Sequence, residues 1–117
     1  MYQSTTFVGN LGHDPELRQI EGGKTVTNIK IACNRKYRNP EGRWIKEKIW
    51  FNVSAWGPLA QYCVDELRKG NQVLVEGTLI PDPITGDPKI WSEGTTLRSA
   101  FDIHASKLIL LSSVGAG

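Results

Sequence analysis

Apolar and polar residues alternate most regularly from Ile45 to Trp56, Ile-Lys-Glu-Lys-Ile-Trp-Phe-Asn-Val-Ser-Ala-Trp. Successive side chains of a strand point to opposite sides. This run therefore has one face of Lys46, Lys48, Trp50, Asn52, Ser54 and Trp56, and another of Ile45, Glu47, Ile49, Phe51, Val53 and Ala55. The second is a core face. Thr25 to Lys36 repeats the arrangement, with Thr27, Ile29, Ile31 and Cys33 opposed to Asn28, Lys30, Ala32, Asn34 and Lys36. Between them, Tyr37 to Trp44 contains Asn39-Pro40 and Gly42, which predict a hairpin loop. Upstream, Tyr2 to Leu11 is a β-rich run in which Gly9 and Gly12 suggest a bulge or bend. His13 to Arg18 is a turn, Leu17 to Ile20 are expected to continue the first strand beyond it, and Gly22-Gly23 supplies a second turn.

After Trp56 the period changes. Pro58 suits the first position of a helix, where its missing N–H has no partner in any case. Leu59, Cys63 and Leu67, flanked by Ala60 and Val64, form an apolar stripe, and Gly70 is the expected terminator. Gln72 to Ile80 reads as a fourth strand and Phe101 to Leu111 as a fifth. The residues between, which hold Trp91 and three of the six prolines, read as a long loop. The expected class is all-β with one helix between strands 3 and 4. That is the element order of an OB-fold, a five-stranded Greek-key barrel whose second and third strands bind oligonucleotides or oligosaccharides.

Composition narrows the picture. A chain of 117 residues, 39% hydrophobic and 22% charged, fits one globular domain, expected over residues 1–111 with a frayed end at 112–117. No apolar run reaches membrane-spanning length and no leader is visible, so a cytoplasmic protein with no membrane partner is expected. Cys33 and Cys63 stand apart, with no CxxC pair, and His13 and His104 lie far from them. Both thiols are expected in the core; His13 reads as a solvated turn residue and His104 as a satisfied or solvated strand residue, neither as a ligand. No metal or cofactor is expected. There is no phosphate loop, no Cys–His pair and no cluster of carboxylates on one face, which argues against an enzyme.

Net charge is only +2, but the basic residues are not evenly spread. Lys30, Arg35, Lys36, Arg38, Arg43, Lys46 and Lys48 are half of the fourteen in the chain, and only Glu41 and Glu47 oppose them in that span. Cations interleaved with Trp50 and Trp56 make a poor core but a suitable surface for a polyanion with flat, stackable groups. Single-stranded nucleic acid is such a polyanion, and stacking a base on an aromatic ring contributes about 1–3 kcal/mol whatever the base. The alternative, tryptophans that merely fill space between two buried faces, would bury Lys46 and Lys48 as well, at a cost no neighbour offsets. Tyr37, Trp44, Arg38 and Arg43 in the hairpin extend the candidate surface, although a tip folded back onto its own sheet is also compatible with them.

The segment Val8-Gly9-Asn10-Leu11-Gly12-His13-Asp14-Pro15-Glu16-Leu17-Arg18 resembles the first-strand motif of the bacterial single-stranded DNA-binding proteins. Trp50, Trp56-Gly57, Leu59-Ala60, Leu67-Arg68-Lys69-Gly70, Val73 and Val75-Glu76-Gly77 follow in that family's order, so the resemblance covers about residues 6–80. It implies stacking aromatics at Tyr37, Trp50 and Trp56 and a phosphate-contacting lysine at Lys69. Trp91 is a further stacker by analogy only, because the proline-rich segment departs from the family's pattern. Phe51 stands where the family often has His. The resemblance also implies a homotetramer, a nucleoid-associated location, and roles in DNA replication, recombination and repair. The family recruits replication and repair proteins through an acidic, hydrophobic C-terminal tip, so such partners are expected only if the full-length protein carries that tail. An OB module that binds RNA or a partner protein is the alternative.

Overall fold

The computed structural model describes residues 2–113. Along the chain run β1 (Thr5–Leu11), β2 (Arg18–Gln19), β3 (Thr25–Arg38), β4 (Trp44–Trp56), α1 (Pro58–Glu66), β5 (Gln72–Leu79), β6 (Lys89–Glu93) and β7 (Thr96–Ser112). The order β1-β5-β7-β4-β3 returns to β1 through the pairs Asn10–Ala32 and Leu11–Ile31, so five strands close a barrel. β4 and β7 pair in parallel, from Phe51–Phe101 to Ser54–His104. β2 pairs with β3 at Arg18–Val26 and Gln19–Thr25. It therefore prolongs the line of β1 along β3, the expected continuation beyond the bend.

The inward rows form the core: Ile29 and Ile31 from β3, Val53 and Ala55 from β4, Val73 and Val75 from β5, and Ile103 from β7 are all essentially inaccessible. Burying each large aliphatic side chain stabilises the fold by roughly 1.5–3 kcal/mol. α1 adds Ala60 and Cys63 to this core, and Leu67 follows it in. Pro58 occupies the helix start as expected. The helix ends earlier than Gly70, at Leu67, whose extended backbone breaks the ladder. The last carbonyls are satisfied by a side chain: Arg68 Nη1 donates to Val64 O and Leu67 O, both at 2.7 Å. Gly70 instead turns the chain with φ 88° and donates its N–H to Leu11 O at 2.9 Å.

Three other expectations need correction. The segment from Lys89 onward is not a loop. β6 and the first residues of β7 form a hairpin, with Lys89–Ala100 and Trp91–Arg98 among its pairs, and the last strand begins at Thr96 rather than Phe101. Every residue of β6 is exposed, so no core face imprinted an alternation. Gly9 makes no bulge; a Cβ there would lie 2.6 Å from Ala32 O, so glycine serves the close crossing of β1 and β3. Cys63 is buried, and burial pushes its thiol up to about 11. Cys33, by contrast, is only half-buried and donates its Sγ–H to Val8 O at 3.0 Å. Ser112 is the last residue of β7, opposite Gln72, and residues 114–117 of the expected frayed end lie outside the described residues.

Candidate nucleic-acid interface

The outward rows of β3, β4 and β7 lie side by side. The register sets Ala32 opposite Trp50, Lys30 opposite Asn52 and Asn28 opposite Ser54, and the parallel pairing sets Asn52 beside Asp102. Two of these contacts are side-chain hydrogen bonds: Ser54 Oγ donates to Asn28 Oδ1 at 3.0 Å, and Asn52 Nδ2 donates to Asp102 Oδ1 at 3.2 Å. The floor of the site is thus polar and cross-linked, with indoles along it.

None of those indoles is sealed in the barrel. Trp50 is 47% exposed, Trp56 38%, Trp91 44% and Trp44 58%. Trp50 and Trp91 line one cleft of about 430 Å³ together with Lys30, Asn52 and Arg98. The adjoining cleft, about 370 Å³, shares Lys30 and Asn52 and adds His13, Asn28, Lys89 and Asp102. Through His13 and Asn28 it continues to Arg18. One groove therefore runs across the sheet, walled on one side by the β6–β7 hairpin and on the other by the β1–β2 connection.

That connection is pinned in place. His13 Nε2 accepts the Lys30 N–H at 3.1 Å while Nδ1 lies 3.0 Å from Asp14 O, contacts that a neutral ring protonated at Nδ1 satisfies together. His13 is thus a half-buried, bonded residue of the groove wall, not a solvated turn residue. Gly12 donates its N–H to Lys30 O at 2.8 Å, and a Cβ on it would lie 2.9 Å from Trp50 Cζ3. The absence of a side chain at Gly12 gives the Trp50 ring its seat.

Beyond Cys33 and Ile49, β3 and β4 leave the barrel as a two-stranded finger. Its outward face continues the groove: Lys48 Nζ lies 5.5 Å from the Trp50 ring, and Lys36 and Arg38 lie 4.8 and 5.4 Å from the Trp44 ring. Lys46 faces Lys36 on the same side. Tyr37 and Arg35 occupy the reverse face. There Arg35 sits 4.8 Å from the Tyr37 ring and pairs with Glu47 at 3.1 Å. The alternation that put Cys33 with Ile31 also puts Tyr37 with Cys33, so the sequence already separated Tyr37 from Trp50. Arg43 lies at the finger's turn, its N–H held by Asn39 Oδ1 at 2.9 Å. Lys69 lies at the end of β1, its backbone N–H donating to Asp14 Oδ1 at 2.7 Å.

The residues that sequence reasoning missed come mainly from β6 and β7. Lys89, Arg98 and Asp102 enter the groove because Trp91–Arg98 and Lys89–Ala100 are hairpin pairs and Asp102, like His104 and Ser106, lies on the outward row of β7 before the bulge that turns Leu108 into the core. The available signal was Gly94-Thr95, a two-residue turn with Gly94 at φ 59° between two β-capable runs. Among the described residues, no cluster of His, Cys, Asp and Glu could hold a metal, and no helix is long and apolar enough to cross a membrane.

The model of the Single-strand binding protein family matches residues 2–87. The chain belongs to this family. It is 36% identical over 110 residues to "Single-stranded DNA-binding protein 2" of Chlorobaculum tepidum, covering 92% of this chain and 70% of that one. Over 116 residues it is 32% identical to the "Single-stranded DNA-binding protein" of Wolinella succinogenes, covering 99% and 68% respectively. Against "Single-stranded DNA-binding protein 1" of Chlorobaculum tepidum it spans only 56% of the relative's length. A small single-stranded DNA-binding protein from Streptomyces coelicolor shares the fold, with TM-score 0.73 at 23% identity over 92% of this chain and 93% of that one. The expected OB barrel is therefore the fold of this single-strand binding family member, with the β6–β7 hairpin as an addition to its five barrel strands.

Proposed function

We propose that the chain binds single-stranded DNA through stacking and charge, features that every base sequence offers. The observation that carries this reading is a pair of part-exposed indoles, Trp50 and Trp91, in one cleft with Lys30 and Arg98, with Trp56 half-exposed on the same outward row of β4 beside Lys24 and Trp44 exposed on the finger. Bases stack on Trp50, Trp56 and Trp91, while phosphates follow Lys30, Lys48, Lys46, Lys36 and Arg38 toward Trp44. Arg43 extends the basic track around the finger's tip, and Lys69 takes a phosphate at the end of β1. Tyr37 and Arg35, on the reverse of the finger, engage only a strand long enough to turn over it. The chain acts as a binding protein, not an enzyme. It works as a homotetramer in the bacterial cytoplasm, at the nucleoid, covering DNA opened during replication, recombination and repair.

Titration of Trp emission with oligothymidylate tests the reading. Quenching should saturate, and log affinity should fall against log salt with a slope of about −0.7 for each phosphate contact. Equal competition by duplex DNA, or tighter binding of RNA, would move the function to another ligand. Light scattering that gives a monomer at micromolar concentration would remove the tetramer.

A further inference from the structure

A carboxylate stands in the middle of this basic groove. Asp102 is on the outward row of β7, with its side chain 16% exposed, and it lines the same cleft as Lys30 and Lys89. For phosphates, an anion at this position is a defect. Its setting fits a different ligand group. Oδ1 accepts from Asn52 Nδ2 at 3.2 Å, and Oδ2 lies 3.8 Å from Lys89 Nζ, a loose pairing to a side chain that is itself half-exposed. A carboxylate has about four lone-pair sites, so these two partners leave acceptor capacity open toward the cleft. Asn52, which anchors Asp102, also lines the cleft of Trp50 and Trp91.

On the reading that this groove takes single-stranded DNA, we infer that Asp102 is a specificity-determining residue that reads the edge of a base stacked at Trp50. An acceptor-only group beside a donor, Lys89, complements an amino group next to a ring nitrogen. Cytosine and adenine present that pair on their pairing edges. A thymine stacked in the same position turns O4 toward the carboxylate and its N3–H toward Lys89, so neither contact forms. Carboxylates accept from the cytosine amino group in this way in base recognition. The groove thus carries a local preference for cytosine and adenine on top of its general affinity.

The test measures affinities for oligodeoxycytidylate and oligothymidylate of equal length, for wild type, Asp102→Ala and Asp102→Asn, with circular dichroism to confirm folding. Removing a negative charge strengthens binding of both oligomers, so the readout is the ratio of the two affinities. The cytidylate-to-thymidylate ratio should drop by about tenfold in Asp102→Ala. In Asp102→Asn, whose amide keeps one acceptor, it should drop by less. A ratio unchanged in both folded variants would overturn the inference, leaving Asp102 as an anchor for Lys89. Failure of wild type to bind either oligomer would instead overturn the reading of the groove on which the inference rests.

Discussion

The two halves of the β3–β4 ribbon share one register, unbroken from Val26–Trp56 to Arg38–Trp44, yet they behave as different materials. In the barrel half the inward row of Ile29, Ile31, Val53 and Ala55 is closed to solvent. In the finger half, from Asn34 to Lys48, no side chain is buried, and Ile45 and Glu47 occupy the row that was core a few residues earlier. The difference teaches that a strand's outward face is held by what lies beneath it. Trp50 sits where the inward side is still packed and Gly12 backs its ring, whereas Trp44 lies on the exposed finger against Lys36 and Arg38.

Substitutions can break this comparison, and the largest effect belongs to the barrel. Ile29→Ala should cost about 2–5 kcal/mol of stability by urea denaturation, whereas Ile45→Ala in the finger should change the midpoint little. The buried Cys63 thiol gives a pH signature of the same half. Burial holds its proton up to about 11, while the unfolded chain releases it near the ordinary value of 9.0. Between these pH values the native state binds more protons than the unfolded one, so its stability falls as pH rises, by up to about 2 kcal/mol. Cys63→Val should show less of that alkaline loss in chemical denaturation at pH 8 and pH 10.

Smaller effects sharpen the boundary within the groove. Gly12→Val should weaken oligothymidylate binding nearly as much as deleting the Trp50 ring, because its side chain claims the ring's seat; fluorescence anisotropy on the folded variant checks this. Tyr37→Ala should leave affinity for an oligomer of about eight nucleotides unchanged and weaken a long one, since a strand must pass over the finger to reach the reverse face. Lys46→Ala and Lys48→Ala should each do least, reducing the salt slope by about 0.7 with little change in stability.

Legibility in the sequence followed the same divide. The barrel half of β3 and β4, α1 and the inward row of β5 could be read directly, because a buried face forces apolar residues onto a fixed period. Trp50, Trp56 and Lys30 were legible as their outward complement. The β6–β7 hairpin was not, because both its faces are exposed and burial imposed no pattern on Lys89 to Glu93. Asp102 was missed for another reason: the parallel pairing of β4 with β7 that joins it to Asn52 spans fifty residues and leaves no local trace. Tyr37 is the opposite case, since its parity already placed it on the reverse face while the family resemblance grouped it with Trp50.

The central claim is that the indole row over the packed half of the ribbon is the binding surface, and Trp50→Ala tests it most directly. With circular dichroism and the unfolding midpoint unchanged, its affinity for oligothymidylate at fixed salt should fall by about 1–3 kcal/mol, roughly 5- to 150-fold. Wild-type affinity in a folded Trp50→Ala protein would contradict the claim.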